Sequence, residues 1–352
     1  MRGRLRKADQ CHVLTGSPFW ATMGTPRDVN HNRPKGRATL SKLELDIVGI
    51  GMSCLDVLVR MKDMPTWERG TRLSGFGLDG GGPVATALAA ASRLGARVGY
   101  IGTAGSDEPA NIKLRTLTRD GVDTSRVVRY PGPECEVVLV AVQEDTGERV
   151  FSGLNTFGSQ VVKVEELDRE YITSAQYLHL DGGHYEAAVQ AAKWMHEAGK
   201  QVVFDGSKVE SKEDRVHLTG LIEHVDYLIG GSGFVPALTG ISDIWEAGKA
   251  ALKLGPRVVV QTEGIDGSFT VTADDQFHTP AFRVNVVDTT GCGDVFHGAY
   301  IVGLLQGWDL RRVALFSSAV SALKATKLGG RAGIPTFEQT IAFLRERANW
   351  RG

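Results

Sequence analysis

From residue 176 onward, short apolar runs alternate with helical stretches, and that rhythm limits the folds open to this chain. Tyr177-Leu178-His179-Leu180 reads as a strand and 187–198 as a helix, followed by strands at 201–205 and 225–229, a helix at 244–254 and a strand at 257–261. Strands separated by helices predict an α/β fold, with a mostly parallel central sheet and helices on both faces. The crossovers are right-handed, and ligands gather at the carboxyl ends of the strands. Residues 45–51, 97–102 and 110–119 extend the pattern as two strands and a helix. Asp205, Thr262, Gly264 and Asp288 each follow an expected strand, so they are placed on that one edge.

A second rhythm has period two. Leu55, Val57 and Val59 alternate with Asp56, Leu58 and Arg60, and 71–76 keeps a broken alternation. Residues 136–142 and 149–151 flank an acidic glycine turn, as in a hairpin. Together these predict a small sheet outside the main one, with strands from about 55–78 and 134–153. Gly49-x-Gly51 invites a dinucleotide-binding reading, but Cys54 stands at the third glycine and a strand rhythm, not a helix, follows. Formal net charge is −1 and the pI about 6.8, which argues against a nucleic-acid or membrane-surface binder. Cys11, Cys54, Cys135 and Cys292 form no Cys-x-x-Cys pair, which fits a reducing cytoplasm. No apolar run reaches the ~18 residues of a membrane span. Residues 1–40 are basic and without period and are expected to be a disordered tail, leaving 41–350 as the folded domain.

Two glycine turns carry the chemistry. Residues 282–287 alternate and then run apolar, as a buried strand does, and Val295, Ala299, Val302 and Leu305 follow at helical spacing. Gly291 and Gly293 therefore sit at a helix start, where unpartnered N–H groups and the helix dipole favour an anion such as phosphate. Asp294 would repel that guest unless it takes a proton from an attacking hydroxyl. Upstream, Gly80-Gly81-Gly82-Pro83 feeds a helix marked by Val84, Leu88, Ala91 and Leu94 that ends at Gly95. Either turn alone could be a tight connection packed under a sheet. His179, His184 and His297 have no metal spacing and read as structural.

The string Asp-Thr-Thr-Gly-Cys-Gly-Asp at 288–294 resembles the C-terminal signature of the ribokinase (PfkB) family of sugar kinases, and 81–95 resembles its N-terminal signature. The stretch Gly-Gly-Gly-Pro-Val-Ala-Thr, with Ser232-Gly233-Phe234, is similar to the sulfofructose-kinase branch. The resemblance spans about 45–344. It implies a ribokinase-like three-layer fold whose small sheet acts as a lid and dimer interface. It also implies transfer of the γ-phosphoryl group of ATP, with Mg2+, to a sugar hydroxyl. By this resemblance Asp294 is the general base, and the N–H groups of Gly291, Cys292 and Gly293 hold the phosphoryl charge. Asp56 grips the sugar beside Gly81 and Gly82, and Thr86 stands where many members have Asn. Thr262, Gly264, Gly291 and Gly330 border the nucleotide, while Asp288 and Thr290 match the side of a monovalent cation, potassium. Cys292 replaces the usual Ala, and at a helix N-terminus its thiol is expected to be acidified and oxidisable. Gly231 and Phe234 stand at the positions of an Asn-x-x-Glu motif that helps order magnesium, so other groups must do that work. Three alternatives stay open. One is a nucleoside kinase of the same fold. Another is a kinase for a sulfonated ketose, read by Arg60, Lys62, Arg72 and Arg149. The third is a non-catalytic sugar-binding homologue.

Overall fold

The computed structural model describes residues 45–207, 209, 211–348 and 350. The basic tail at 1–40 lies outside the described residues. The first half contains β1 (Ile47–Ile50), β2 (Cys54–Met61), β3 (Leu73–Gly81), α1 (Pro83–Arg93), β4 (Val98–Ile101), β5 (Thr103–Ala104), α2 (Glu108–Arg119), β6 (Val128–Arg129), β7 (Val137–Gln143) and β8 (Arg149–Gly153). Then follow α3 (Arg169–Ser174), β9 (Tyr177–Leu180), α4 (Tyr185–Glu197), β10 (Gln201–Gly206), α5 (Lys212–Ile222), β11 (Tyr227–Gly230), α6 (Phe234–Thr239), α7 (Ile244–Leu252) and β12 (Val258–Thr262). The chain closes with β13 (Ser268–Thr272), β14 (Gln276–Thr279), α8 (Cys292–Leu305), α9 (Leu310–Ala325) and α10 (Phe337–Ala348).

The main sheet has eight strands in the order β14-β13-β12-β11-β10-β9-β1-β4. It is parallel from β4 to β12, and β13 and β14 extend it as an antiparallel hairpin. Side-chain alternation along each strand builds two cores. Ile47, Tyr177, Val203 and Val260 pack with α1, α8 and α9 on one face. Val48, Leu178, Phe204 and Val259 pack with α4, α6 and α7 on the other. Helix starts follow local chemistry: Pro83 opens α1, and the Asp243 carboxylate accepts the N–H groups of Trp245 and Glu246 at α7. A separate four-stranded sheet has the order β3-β2-β7-β8, from the segments expected to form it. Among the described residues no helix is long and apolar enough to cross a membrane.

One expectation is overturned. Residues 282–287 form no strand, and Val286 and Val287 are exposed. Among the described residues no strand pairs with it; the segment is tied instead to the end of α9, where the Ala325 carbonyl accepts the N–H groups of Val287 (2.8 Å) and Asp288 (3.1 Å). Asp288 therefore reaches the site from a loop rather than from a strand end.

Candidate active site

Because β1, β9, β10, β11 and β12 run parallel, their carboxyl ends share one edge of the main sheet. Just past β9, Asp181 accepts the N–H groups of Met52 (2.8 Å) and Gly183 (2.9 Å), fixing the exit of β1. At the end of β10, Asp205 is buried, and its Oδ2 has no partner among the described residues. Burial, together with the charges of Asp294 and Asp181, pushes the Asp205 carboxyl well above its ordinary value.

The C-terminal turn is held by an unusual set of bonds. Asp288 Oδ1 accepts the Thr290 N–H (2.8 Å) and hydroxyl (2.7 Å), and Oδ2 accepts the Gly329 N–H (2.8 Å). Arg149, from β8 of the four-stranded sheet, pairs with the same carboxylate and donates to the Thr289 hydroxyl at 3.0 Å. Behind the turn, buried Lys324 of α9 donates to the Asp288 carbonyl at 3.0 Å. Burial alone would raise the Asp288 carboxyl, but the bonds from Thr290 and Gly329 and the Lys324 charge outweigh it and hold the group low. Every oxygen of Asp288 accepts a bond from a protein donor, so a monovalent cation beside Asp288 and Thr290, as the resemblance implies, would share those oxygens with Thr290, Arg149, Gly329 and Lys324.

Gly291 caps α8 in the left-handed conformation, at φ 73°, where a side chain would be strained. The Cys292 N–H turns back onto the Thr289 carbonyl at 3.2 Å, so it is not an open donor. No hydrogen bond is made by the N–H of Gly291 or Gly293 among the described residues, and the space over Gly293 is open. The Cys292 thiol is not acidified: burial raises it, outweighing the Lys324 charge. It points instead to the Ser321 carbonyl, 3.6 Å away. Asp294 follows in the first turn of α8, with no ion-pair partner within 4 Å among the described residues. Burial pushes its carboxyl up to about 7; Arg331 pulls it down, Asp181 pushes it up and Lys324 pulls it down.

The N-terminal turn is a steric device. Gly82 has φ 91°, and a Cβ there would lie 2.5 Å from the Met52 carbonyl oxygen. A Cβ on Gly81 would lie 2.5 Å from Asp56 Oδ2, so the backbone passes directly over that carboxylate. Burial pushes Asp56 up to about 6, with Arg331 opposing. Arg331 is the residue the sequence reading missed. Its buried guanidinium donates to the Gly81 carbonyl (3.0 Å), the Thr86 hydroxyl (3.3 Å) and the Thr116 hydroxyl (3.3 Å), so Thr86 faces a cation rather than open solvent. It lies 3.6 Å from Asp120, and its charge acts on both Asp56 and Asp294. Next to it, Gly330 packs against Gly291, its carbonyl oxygen 3.0 Å from where a Gly291 Cβ would stand. The structure therefore places Gly330 at the junction of the two turns.

Farther along the edge, Thr262 donates to the Gly230 carbonyl at 3.2 Å, and Gly264 has φ 54° with open space above it. Phe234 is a core residue, packed on Phe204. A carboxylate nonetheless reaches this place from another strand: Glu263 pairs with the Ser232 hydroxyl and accepts from Gly233 N–H (3.1 Å) and Gln261 Nε2 (2.8 Å). A cavity of about 690 Å3 opens between the four-stranded sheet and the Gly329–Ala332 stretch, lined by Arg60, Arg93, Arg119, Arg149 and Arg331, among others. Asp56 and Asp294 are not in its wall, but Leu58, Asp79 and Arg331 beside them are. Of the basic residues singled out for an anionic sugar, Arg60 and Arg149 reach it, whereas Lys62 and Arg72 do not. Behind Asp294, the fold brings His179 and His297 to a ring separation of 5.7 Å, beside Asp205, although their sequence spacing gave no hint of it. Burial lowers both imidazoles, His179 to about 4, and keeps them neutral.

Comparison with known proteins gives the family and the fold. Residues 46–337 match the model of the pfkB family carbohydrate kinases. An ATP-dependent ribose-1-phosphate kinase of Halopiger xanaduensis is 29% identical over 293 residues, covering 83% of this chain and 95% of that protein. A 5-dehydro-2-deoxygluconokinase of Shouchella clausii is 25% identical, covering 86% of this chain and 97% of that protein. Among solved structures, a ribokinase from Thermotoga maritima superposes with a TM-score of 0.73 at 23% identity, covering 86% of this chain and 99% of the other. Arabidopsis thaliana ribokinase, solved with ribose and ATP, gives 0.73 at 20% identity, covering 86% and 99%. These structures share the three-layer fold. The chain belongs to the pfkB family of carbohydrate kinases and is a phosphotransferase of that family.

Proposed function

We propose that this enzyme transfers the γ-phosphoryl group of ATP to a sugar hydroxyl, with Asp294 as the general base. One observation carries the reading. A carboxyl with raised proton affinity and, among the described residues, no ion-pair partner sits in the first turn of a helix whose Gly291 and Gly293 N–H groups are open among those residues. In this reading the sugar lies over Asp56, Gly81 and Gly82. Arg331 fixes the Gly81 carbonyl and offsets part of the rise that burial imposes on Asp56. Asp294 takes the proton as the hydroxyl attacks in line, and the Gly291 and Gly293 N–H groups receive the charge that builds on the phosphoryl oxygens. Thr262 and Gly264 border the nucleotide. Magnesium accompanying the nucleotide would supply neutralisation of the phosphate charge. Asp205, whose Oδ2 is unpartnered among the described residues, and Glu263, whose oxygens also accept from Ser232, Gly233 and Gln261, would hold it through water. Residues 41–350 then form one kinase domain with the four-stranded sheet as its lid. Exposed Leu139, Val150 and Phe151 on that sheet support a homodimer formed through it.

The substrate class we infer is a sugar carrying an anionic group. Arg60 and Arg93 line the cavity without a carboxylate partner among the described residues, and a ribose-1-phosphate kinase is among the relatives. The test is a transfer assay with ATP against ribose 1-phosphate, sugar acids, sulfonated ketoses, neutral sugars and adenosine. The reading expects kcat/KM for an anionic sugar to exceed that of its neutral counterpart by about tenfold or more, as for a charge-assisted contact. Preference for adenosine would favour a nucleoside kinase. No transfer to any acceptor would favour a non-catalytic homologue.

A further inference from the structure

Lys324 is fully buried in α9, and the proposed proton transfer does not use it. Its ammonium donates to the Asp288 carbonyl at 3.0 Å, and its charge acts on Asp288, Cys292 and Asp294. Burying an ammonium is costly unless its charge is answered by neighbours, so its place behind the anion turn calls for an explanation. The family resemblance implies a monovalent metal ion beside Asp288 and Thr290. Such an ion needs a cage of free oxygens to replace its hydration shell. The oxygens here already meet protein donors, and the Lys324 ammonium stands among them. Both Asp288 carboxylate oxygens accept bonds from Thr290, Arg149 or Gly329. The Ala325 carbonyl accepts from Val287 and Asp288, and the Lys324 carbonyl accepts from Lys327 at 3.2 Å. The Arg149 guanidinium adds a second positive charge to the same carboxylate.

We propose that Lys324 is a built-in cation: its tethered ammonium does what a bound monovalent ion would do for the anion turn, so that nucleotide binding needs no potassium. Lys324 is a positioning residue, acting through the Asp288 carbonyl on the loop that presents Gly291 and Gly293. Removing the ammonium leaves the Asp288 carbonyl without its donor and opens a site of ionic size beneath the turn. A free potassium or ammonium ion can then enter.

This inference rests on the kinase reading above, but its test does not need the sugar. ATP affinity is measured by calorimetry on the full chain in potassium, ammonium and tetramethylammonium buffers, for wild type, Lys324→Ala and Lys324→Met. The wild type is expected to bind ATP with the same affinity, within about twofold, in all three. Lys324→Ala is expected to lose about tenfold or more in tetramethylammonium, a typical coupling between sites, and to recover most of it in potassium or ammonium. Lys324→Met fills the space with an apolar chain and is expected to lose affinity without recovery. Potassium stimulation of wild-type binding by more than about fivefold overturns the proposal. So does a Lys324→Ala loss that neither potassium nor ammonium repairs, which would make Lys324 a structural strut. If Lys324→Ala does not fold, the wild-type comparison still decides. Wild-type protein that binds no ATP in any buffer refutes the kinase reading and this inference together, whereas potassium-dependent binding refutes this inference alone.

Discussion

The two glycine turns look alike in sequence and do different physical work. In the N-terminal turn the glycines are there because nothing else fits: Gly81 passes over Asp56, and Gly82 is wedged at φ 91° against the Met52 carbonyl. That turn follows a strand directly and is set by packing. In the C-terminal turn a Cβ on Gly293 would meet open space. No strand precedes it, and its shape is imposed by polar struts from Arg149, Lys324 and Asp288. In the proposed function the first turn excludes atoms so that a substrate can approach a carboxylate. In the same proposal the second leaves donors unpaired so that an anion can complete them. Arg331 and Gly330 join the two.

The largest expected effect removes the base. Asp294→Asn should lower kcat by about 100- to 10,000-fold while ATP and sugar affinities stay near wild type, the signature of lost general-base catalysis. Near-normal turnover would remove Asp294 from that role. Next come paired glycine substitutions, which separate the turns. Gly82→Ala forces a Cβ into the Met52 carbonyl at a left-handed φ and should destabilise the fold by about 1–3 kcal/mol, read as a lower Tm. Gly293→Ala should leave Tm nearly unchanged and weaken ATP binding. If the two variants lose Tm equally, the distinction between packing and open donors fails.

A smaller effect is the pH response. The Asp294 carboxyl is raised to about 7, so its proton persists to higher pH than in an ordinary aspartate and the base form is lost as pH falls through about 7. The kcat/KM profile should therefore decline on the acid side of about pH 7. Asp56, raised to about 6, should weaken sugar binding further below that point. A flat profile from about pH 5 to 8 would contradict this ordering. The smallest expected change is Cys292→Ala. Burial raises that thiol, and its N–H is already turned onto Thr289, so activity and resistance to alkylating reagents should differ little from wild type.

Much of the fold was legible because strands buried on both faces must be apolar runs, as at 201–205 and 257–261. The same rule misled at 282–287. Apolar alternation says what a strand requires, not whether a neighbour exists to pair with it, and here none pairs among the described residues. Gly81, Gly82, Gly291 and Asp294 could be found because a turn's backbone demands are local. Arg331 and Lys324 could not. Each is a cation whose burial depends on contacts made far away in sequence, from Arg331 to Thr86 and from Lys324 to Asp288. Glu263 illustrates the same limit. Sequence reveals that the Asn-x-x-Glu positions hold Gly231 and Phe234, but only the fold reveals a carboxylate arriving from the end of β12.

The most direct test of the central claim is an amide NMR titration of the full chain with ATP and magnesium, with Gly82, Gly291 and Gly293 assigned. If the C-terminal turn receives the phosphates, the Gly291 and Gly293 amide protons move strongly downfield while Gly82 stays in place. Saturating nucleotide that leaves Gly291 and Gly293 unmoved would contradict the account.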